Sequence, residues 1–389
     1  MKLSGEGVTF YSHLPGSGFG DAACQYVTAL VELGVRVAWR PYANDLADGK
    51  LPEKALGPAP REPRAILERA LGEAIGEISL VSRSLDDLPF AQAALSGERN
   101  YAYIAWELNE IDPSWVAPLN RFDGLLVPCE FNRRALLAGG VSAPVTVVPH
   151  IARPLQGAAT SIDLPARDHD YLFYTIGSWT RRKGMEETIR AYLAAFSADD
   201  PVLLVVLTNE IDTMAARAAP RAPGYTQTVA WTLARILADY PGAARVHLVA
   251  GLQEPTWVDA LHERADCFIS LTHSEGWGLG AFDALLHGNP AIITGYGGQC
   301  DYLGENYPLA VNYHMSLVSD VPPDGSYKPF ASSLWAHADQ DHAVNLLRQV
   351  YAGREKARTM ASAQGDQLRS AYSRRRIGKD LATALGLSE

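Results

Sequence analysis

Cysteine, basic residues and long apolar runs are all scarce in this sequence of 389 residues, and each shortage argues against a class of protein. The 4 cysteines lie far apart without a C-x-x-C pair, which argues against a zinc framework or disulfide scaffold and predicts reduced cysteines in or near the core. The formal net charge of -10 argues against a nucleic-acid-binding protein, because affinity for the phosphate backbone depends on clustered lysine and arginine.

Membrane-spanning and secreted proteins are disfavoured in the same way. No apolar run approaches the roughly 20 residues that cross a bilayer, and the N-terminal stretch lacks the apolar core of a signal peptide. We therefore expect a cytoplasmic protein without a transmembrane segment.

What the sequence does contain is an alternation of short β-branched or aromatic runs with helical patterns, which is typical of α/β proteins with parallel sheets. The pattern predicts strands in the first half at residues 7–13, 35–40, 78–82, 101–106, 124–128 and 145–149. In the second half it predicts strands at residues 171–177, 201–208, 245–251, 266–272, 290–295 and 308–313. From about Trp335 onward the pattern is helical, apart from a loop at 351–354.

Two domains are expected, because 389 residues exceed what one hydrophobic core usually holds. A proline-rich stretch without periodicity separates the two α/β series and predicts a linker at 151–168. We expect an N-terminal domain over 1–150, a C-terminal domain over 169–370 and a C-terminal helix over 371–389. Two such halves favour a ligand bound at the carboxyl ends of both sheets.

The stretch HSEGWGLGAFDALLHGNP, residues 273–290, follows a predicted strand and opens a predicted helix. Its glycines let backbone N–H groups approach a ligand at the helix N-terminus, where the helix dipole favours an anion. Glu275, just before them, can accept hydrogen bonds from sugar hydroxyls, and Asp283 can bind a ribose diol. An aspartate that only complements the helix dipole and a solvated glutamate explain the spacing equally well.

A basic cluster, Arg181, Arg182 and Lys183, stands between a predicted strand and the helix that begins near Gly184. Three positive charges at such a junction complement a diphosphate, with arginine binding in a bidentate manner and lysine as a point charge. A solvated basic loop is the alternative. The position at the carboxyl end of a strand favours a binding site.

The third candidate stretch, LPGSGFGDAA, is rich in glycine and follows the first strand. A dinucleotide-binding G-x-G-x-x-G fingerprint fails here, because Asp21 takes the place of the last glycine. The second strand also ends at Arg40 rather than at the acidic residue that would bind ribose. A dinucleotide-dependent oxidoreductase is therefore disfavoured, whereas a close approach of phosphate to the backbone at Gly18 stays open.

Together these three stretches resemble the retaining glycosyltransferases of family 4, whose C-terminal domain carries a Glu-x7-Glu motif. The corresponding residues here are Glu275 and Asp283, followed by GNPAIITGYGG, and the resemblance extends to GSWTRRKG and VVPH. It implies the GT-B fold: two Rossmann-like α/β domains whose parallel sheets face a central cleft, with the C-terminal helices packing back towards the N-terminal domain. The resemblance further implies that the domain over 1–150 binds the acceptor and that the domain over 169–370 binds the nucleotide-sugar donor.

The resemblance also implies a function, namely hexosyltransferase-like transfer of a sugar from a nucleotide-sugar donor to an acceptor with retained configuration. Neither a metal nor another cofactor is expected, and the acceptor is a sugar, a lipid-linked glycan or a small molecule. Polysaccharide or glycoconjugate assembly is the commonest use of the family. Glycosylation of a small molecule, a GT-B phosphorylase or disaccharide synthase, and a non-catalytic sugar-nucleotide-binding scaffold stay open.

Residue by residue, the resemblance implies that Glu275 binds hydroxyls of the donor sugar, Lys183 pairs with the diphosphate and Asp283 binds the ribose. The other expected donor-binding residues lie in the three glycine-rich or basic stretches: Gly18, Phe19, Ser178, Arg181, Gly276, Trp277, Gly278 and Leu279.

The sequence departs from the family in three respects. The second glutamate of the motif is the shorter Asp283, and Ser178 stands where the family commonly has its diphosphate arginine. We therefore expect Arg182 to supply the guanidinium, with Arg181 as the substitute.

The third departure is that no clear equivalent exists of the N-terminal-domain histidine found in many members. Glu107, after the predicted strand YAYIAW, is instead the candidate for a catalytic or acceptor-binding carboxylate, and a structural glutamate is equally compatible with the sequence. His13 is a weaker candidate for catalysis, and His150 is assigned to the hinge.

Overall fold

The computed structural model describes residues 5–16, 18–42, 63–83, 85, 95, 97–155, 161–212, 228–318 and 332–387. The chain divides into two compact units. The first consists of Met1–Pro154, Pro323–Ser333 and Arg369–Glu389, and the second of Leu155–Pro322 and Leu334–Leu368. Residues 156–160 of the predicted linker lie outside the described residues.

The strands of the described residues are, in chain order, β1 Gly7–Ser12, β2 Arg36–Pro41, β3 Ile78–Ser82, β4 Arg99–Tyr103, β5 Gly124–Val127, β6 Val145–Val147, β7 Tyr171–Ile176, β8 Val202–Thr208, β9 Arg245–Ala250, β10 Cys267–Ser270, β11 Ala291–Thr294, β12 Ala310–Val311, β13 Tyr313–Leu317 and β14 Leu334–Ala338.

The α-helices of the same ranges are α1 Gly18–Glu32, α2 Arg64–Gly72, α3 Val116–Leu119, α4 Glu130–Ala138, α5 Met185–Ala195, α6 Val229–Ala238, α7 Pro255–Arg264, α8 Leu279–Leu286, α9 Cys300–Leu303, α10 Gln340–Ala352, α11 Arg354–Ala371 and α12 Arg374–Ala384. Short 3₁₀ helices add Pro113–Trp115 and Arg181–Lys183.

The first unit is built on a six-stranded parallel sheet in the order β2-β1-β3-β4-β5-β6. Strands β1, β3 and β5 are almost entirely buried, as expected for a parallel sheet that helices cover on both faces. Helix α1 buries Ala22, Tyr26 and Leu30 in this core, on the face that helical spacing predicts. Helix α12 packs on α1 so closely that a Cβ added at Gly378 would lie 3.0 Å from the Cβ of Ala29.

The second unit repeats the architecture with a parallel sheet in the order β12-β11-β10-β7-β8-β9. Strand β10 lies between β11 and β7, with Phe268 opposite Ala291 and Cys267 opposite Phe173. Because parallel strands end at the same sheet edge, the loops that follow β7 and β10 are neighbours. These loops carry the basic cluster and Glu275.

The predicted α/β class with two parallel sheets is confirmed, but the prediction of helix from Trp335 onward is wrong at its start. Trp335 belongs to β14, which pairs with β13 in an antiparallel two-stranded ribbon, and α10 begins only at Gln340. Tertiary pairing overrides local preference here, since the N–H of Ala336 donates to the carbonyl of His273. Asp339 then caps α10, accepting a hydrogen bond from the N–H of His342 at 2.9 Å.

Candidate active site

The loop between β10 and α8 presents Glu275 in a backbone conformation that two glycines permit. Gly278 has φ of 84° at the N-terminus of α8, and Gly297 has φ of 105° in the loop after β11. A Cβ added at Gly297 would lie 3.0 Å from the nitrogen of Glu275, and the N–H of Gly298 donates to the carbonyl of Glu275 at 2.8 Å. A side chain at Gly297 would therefore press on the backbone of Glu275, and one at Gly278 would be strained by its left-handed conformation.

The carboxylate of Glu275 forms an ion pair with the basic cluster. Lys183 Nζ lies 2.7 Å from Oε1 and 2.9 Å from Oε2 of Glu275, and Arg182 Nη1 lies 3.2 Å from Oε2. The same Arg182 nitrogen donates to the carbonyl of Ser274 at 2.7 Å. Three side chains that the sequence assigned to one site are thus brought into direct contact.

This ion pair keeps Glu275 charged even though only 8% of the residue is exposed. Burial acts to raise the pKa of Glu275, but the charges and hydrogen bonds of Lys183 and Arg182 outweigh burial and hold the pKa below its usual range. The site therefore contains a permanent carboxylate beside two cations.

The basic cluster itself forms a 3₁₀ turn that is fastened to the Glu275 loop. Gly184 ends the turn in the left-handed region with φ of 58°, and a Cβ there would lie 2.0 Å from the carbonyl oxygen of Leu271. The hydroxyl of Thr188 donates to the Gly184 carbonyl at 2.8 Å and accepts from the Leu271 N–H at 2.9 Å. These contacts fix the distance between Lys183 and Glu275.

Substitution of Gly184 by alanine is expected to lower the free energy of unfolding by at least about 2 kcal/mol, because it adds left-handed strain to a clash with the Leu271 backbone. Thermal or urea unfolding measures the effect. Gly72→Ala is the matched control, since a Cβ at Gly72 meets nothing within 4 Å. Equal stability of the two variants would contradict the proposed close contact between Gly184 and the Leu271 backbone.

The remaining donor-binding candidates of the second unit lie around this centre. Asp283 is 7% exposed on α8, next to the buried Phe282. The ring of Trp277 packs 5.2 Å from that of Phe282 and 5.1 Å from that of Tyr302, so its side chain anchors the loop. The hydroxyl of Tyr302 donates to the carbonyl of Gly278 at 2.9 Å.

The positions flanking Lys183 differ in their surroundings. Arg181 pairs with Glu187 at 3.0 Å, whereas Arg182 is the arginine on Glu275. Ser178 is exposed in the loop after β7. Of the two arginines, Arg182 thus places its guanidinium beside Lys183, on the same carboxylate of Glu275.

In the first unit, the glycine-rich loop before α1 is closed by the residue that breaks the dinucleotide fingerprint. Asp21 Oδ1 accepts a hydrogen bond from the N–H of Gly16 at 3.0 Å, and a Cβ at Gly20 would lie 1.8 Å from the carbonyl oxygen of Leu14. Gly18 is exposed at the first position of α1, and Phe19 is half-buried. The loop has a tight structure of its own, built around Asp21.

Arg40 has a structural role in the same unit. Its guanidinium donates to the backbone carbonyls at the end of β2 and of α2, namely those of Trp39, Leu71 and Glu73. The position that would carry a ribose-binding acid in a dinucleotide-binding domain is therefore used to hold α2 in place.

Glu107 is half-buried in the loop after β4, and that loop is held by a residue that the sequence analysis missed. Asn132 on α4 accepts from the N–H of Trp106 at 3.0 Å and donates to the Trp106 carbonyl at 2.6 Å. The indole N–H of Trp106 donates to the Glu110 carbonyl at 2.9 Å. The burial of Asn132 and its position beside the end of β4 are visible only in the structure.

The two histidine candidates of the first unit differ in burial. His13 is half-buried at the end of β1, with its ring 5.0 Å from that of Tyr42. His150 is buried, and its Nδ1 lies 3.1 Å from the hydroxyl of Tyr26, which in turn lies 2.7 Å from the hydroxyl of Tyr103. Burial, assisted by the charge of Arg153, lowers the pKa of His150 to about 3. His150 is a neutral core residue.

This low pKa predicts acid destabilisation. The unfolded chain takes up a proton at His150 below about pH 6.5, whereas the folded chain does not until about pH 3, so stability present above pH 6.5 is lost as the pH falls. Between pH 7 and pH 5 we expect a loss of about 2 kcal/mol that His150→Asn lacks. Urea unfolding at both pH values tests this, with the exposed His169→Asn as control. Equal pH dependence in wild type and His150→Asn would refute it.

Three further results concern the chain as described. Among the described residues no group of three histidine, cysteine, aspartate or glutamate side chains is arranged to hold a metal ion. Within the same ranges no helix is both long and apolar enough to cross a membrane. The four cysteines, all of them described, form no disulfide.

The two parallel-sheet units define the GT-B fold class, as predicted. No family model and no curated protein matches the sequence. Among solved structures, sucrose-phosphate synthase from Thermosynechococcus elongatus has a TM-score of 0.64 and 15% identity over 97% of this chain and 98% of that chain. HepE from Anabaena, in complex with UDP and glucose, has a TM-score of 0.66 and 13% identity over 98% and 99%.

A further similar structure is TarM from S. aureus, with a TM-score of 0.55 and 12% identity over 79% of this chain. This chain spans 55% of the TarM chain, so the likeness there is partial. At these identities the similarity concerns the fold, and the activity must be argued from the site itself.

Proposed function

We propose that the chain is a glycosyltransferase that moves a sugar from a nucleotide-sugar donor to an acceptor, with retained configuration and without a metal. The observation that carries this proposal is the buried carboxylate of Glu275 in contact with Lys183 and Arg182 beside the N-terminus of α8. A carboxylate suits sugar hydroxyls and two cations suit a diphosphate. A nucleotide sugar joins the two groups through the bond between the anomeric carbon and the diphosphate.

The cations supply the main chemistry in this proposal. As the bond between the anomeric carbon and the diphosphate breaks, negative charge grows on the distal phosphate. Lys183 and Arg182, which Glu275 holds side by side before the donor binds, are in place to stabilise that charge. The backbone at the start of α8, which is half-buried at Leu279 and Gly280, adds N–H dipoles. Leaving-group stabilisation of this kind needs no metal.

Glu275 has two tasks in this scheme. Before donor binding it is the counter-ion of Lys183 and Arg182, and in the donor complex it accepts hydrogen bonds from the sugar. We assign the backbone of Gly276 to Leu279 to the sugar and phosphates, and Asp283 to the ribose. In the first unit, Gly18 and Phe19 are proposed for the phosphates and Glu107 for the acceptor.

Buried polar atoms around the Glu275 loop support a polar ligand there. Among the described residues, Ser274 Oγ, Thr294 Oγ1 and Gln299 Oε1 are buried and have no hydrogen-bond partner. Buried polar atoms are nearly always hydrogen-bonded in folded proteins, and exceptions often mark functional sites. All three lie in or beside the loops that present Glu275.

A UDP-sugar is the first donor to test, because the similar structures of HepE and TarM contain UDP. For the acceptor we propose a growing polysaccharide or glycoconjugate in the cytoplasm, with a small molecule as the rival. A disaccharide-phosphate synthase is the second candidate, favoured by the similarity to sucrose-phosphate synthase over 97% of this chain.

The test is a donor panel. The purified chain is incubated with UDP-, GDP-, ADP- and TDP-sugars, and nucleotide release is measured with and without EDTA, with glycan, small-molecule and sugar-phosphate acceptors. We expect UDP release that EDTA leaves unchanged and that one acceptor class accelerates. The anomeric configuration of the product is then read by NMR.

Each alternative has its own outcome. Consumption of free phosphate in place of nucleotide release indicates a phosphorylase, and a thermal shift with NAD indicates an oxidoreductase. A scaffold binds a sugar nucleotide without turnover, and its affinity for that ligand is the same in the wild type and in Glu275→Ala. Absence of any nucleotide or nucleotide-sugar binding by calorimetry sinks the glycosyltransferase proposal.

A further inference from the structure

His273 lies two residues before Glu275 and has no role in the reaction proposed above. Only 1% of the residue is exposed. Its N–H donates to the carbonyl of Arg182 at 2.7 Å, and its carbonyl accepts from the N–H of Ala336 at 3.0 Å. The backbone of His273 thus joins the basic turn on one side to strand β14 on the other.

The imidazole ring makes a second connection to β14. Nδ1 lies 2.7 Å from the carbonyl oxygen of Ala336. Because a carbonyl oxygen only accepts hydrogen bonds, Nδ1 carries a proton and donates it. His273 and Ala336 are therefore tied by two hydrogen bonds, one donated by the backbone N–H of Ala336 and one donated by Nδ1 of the His273 ring.

The ring is also enclosed by neighbouring rings. It stacks on Trp335 with centroids 4.4 Å apart and planes at 19°, and His337 meets it edge-on at 4.5 Å. At the other ring nitrogen, Nε2 lies 3.6 Å from Glu187 Oε1, a longer contact than the one at Nδ1. These contacts leave the ring one orientation, so the ring holds the His273 backbone at a fixed position relative to β14.

We propose that His273 is a positioning residue for the ion pair between Glu275 and Lys183. The Nδ1 bond to Ala336 fixes the segment from His273 to Glu275, and the backbone bond to Arg182 fixes the turn that carries Lys183. Loss of the Nδ1 bond lets the carboxylate shift relative to the cations. This inference rests on the proposed function, and a shift near 1 Å is enough to lower a catalytic rate roughly 100-fold.

A merely structural core histidine would behave differently. Its removal would lower the unfolding temperature, but the molecules that remain folded would turn over donor at the wild-type kcat. A positioning residue lowers kcat per folded molecule while the affinity for UDP stays, because Lys183 and Arg182 are still present. The ratio of the change in kcat to the change in donor KM separates the two roles.

Two substitutions of His273 separate the contribution of Nδ1 from that of Nε2. In His273→Asn the amide nitrogen occupies the place of Nδ1 and keeps the bond to Ala336. In His273→Gln the amide nitrogen reaches the place of Nε2 and the bond to Ala336 is lost. His314→Asn on the exposed strand β13 is the control for a histidine of the same ribbon.

The experiment measures kcat, donor KM and UDP affinity for the wild type and these three variants, together with folded fraction. We expect His273→Gln to lower kcat roughly 10- to 100-fold with donor KM within about threefold. His273→Asn retains kcat within about fivefold, and His314→Asn equals the wild type.

The outcomes separate the two proposals. If the wild type turns over no sugar nucleotide, the proposed function fails and this inference falls with it. If the wild type is active and both His273 variants match it per folded molecule, the inference is wrong and the proposed function stands. Equal loss of kcat in His273→Asn and His273→Gln also overturns it, since the bond to Ala336 would not be the cause.

Discussion

Replacement of Glu275 by glutamine is expected to lower kcat on the order of 100- to 1,000-fold, while UDP binds as tightly as to the wild type or more tightly. The carboxylate is the sugar ligand in the proposed mechanism, so its loss removes interactions needed in the transition state. It is also the group that now neutralises Lys183 and Arg182. Without it, both cations are available to the diphosphate.

Steady-state kinetics with the best donor and calorimetry with UDP measure the two effects. Glu305→Gln is the matched control, because Glu305 is exposed and outside the site. Circular dichroism and a thermal melt establish that Glu275→Gln is folded. Wild-type kcat in folded Glu275→Gln, or a clear loss of UDP affinity, would show that Glu275 does not have the proposed role.

Replacement of Lys183 by methionine is expected to have the opposite effect on UDP binding. The aliphatic part of the side chain is kept and the charge is removed, so a charge-assisted hydrogen bond to the diphosphate is lost. Such a bond contributes about 1.5 to 3 kcal/mol, which corresponds to UDP affinity roughly 10- to 100-fold weaker. We expect kcat to fall as well, because negative charge increases on the leaving group.

Lys356→Met on the exposed face of α11 is the control for this substitution. Calorimetry with UDP and kinetics with the UDP-sugar are compared across the four variants. Opposite changes in UDP affinity for Glu275→Gln and Lys183→Met identify the ion pair as the place where sugar and diphosphate meet. Weakened UDP binding in both variants would point instead to a salt bridge that only holds the loop.

Most of the fold follows from local patterns. The runs that predict strands at 78–82 and 201–208 form β3 Ile78–Ser82 and β8 Val202–Thr208, because a strand covered on both faces is apolar throughout. Boundaries are less predictable. The apolar run 266–272 continues past the end of β10 at Ser270, since Leu271 and Thr272 are buried against the basic turn rather than paired in the sheet.

The ribbon of β13 and β14 shows the limit of local patterns more clearly. The segment at Trp335 reads as helical, but it forms a strand because Ala336 bonds to His273, which lies 63 residues away. The role of Asn132 under the Glu107 loop was missed for the same reason. Neither interaction leaves a periodic signal in the sequence.

By itself, the sequence determined the α/β class, the two parallel sheets and the identity of the groups at the strand ends, because these depend on residue type and short-range spacing. Only the tertiary structure decided that Glu275 is the counter-ion of Lys183, across 92 residues, and that Arg182 rather than Arg181 shares it. That pairing exists because β7 and β10 are neighbours in the sheet. Strand order is set by packing of the whole unit, and no local pattern encodes it.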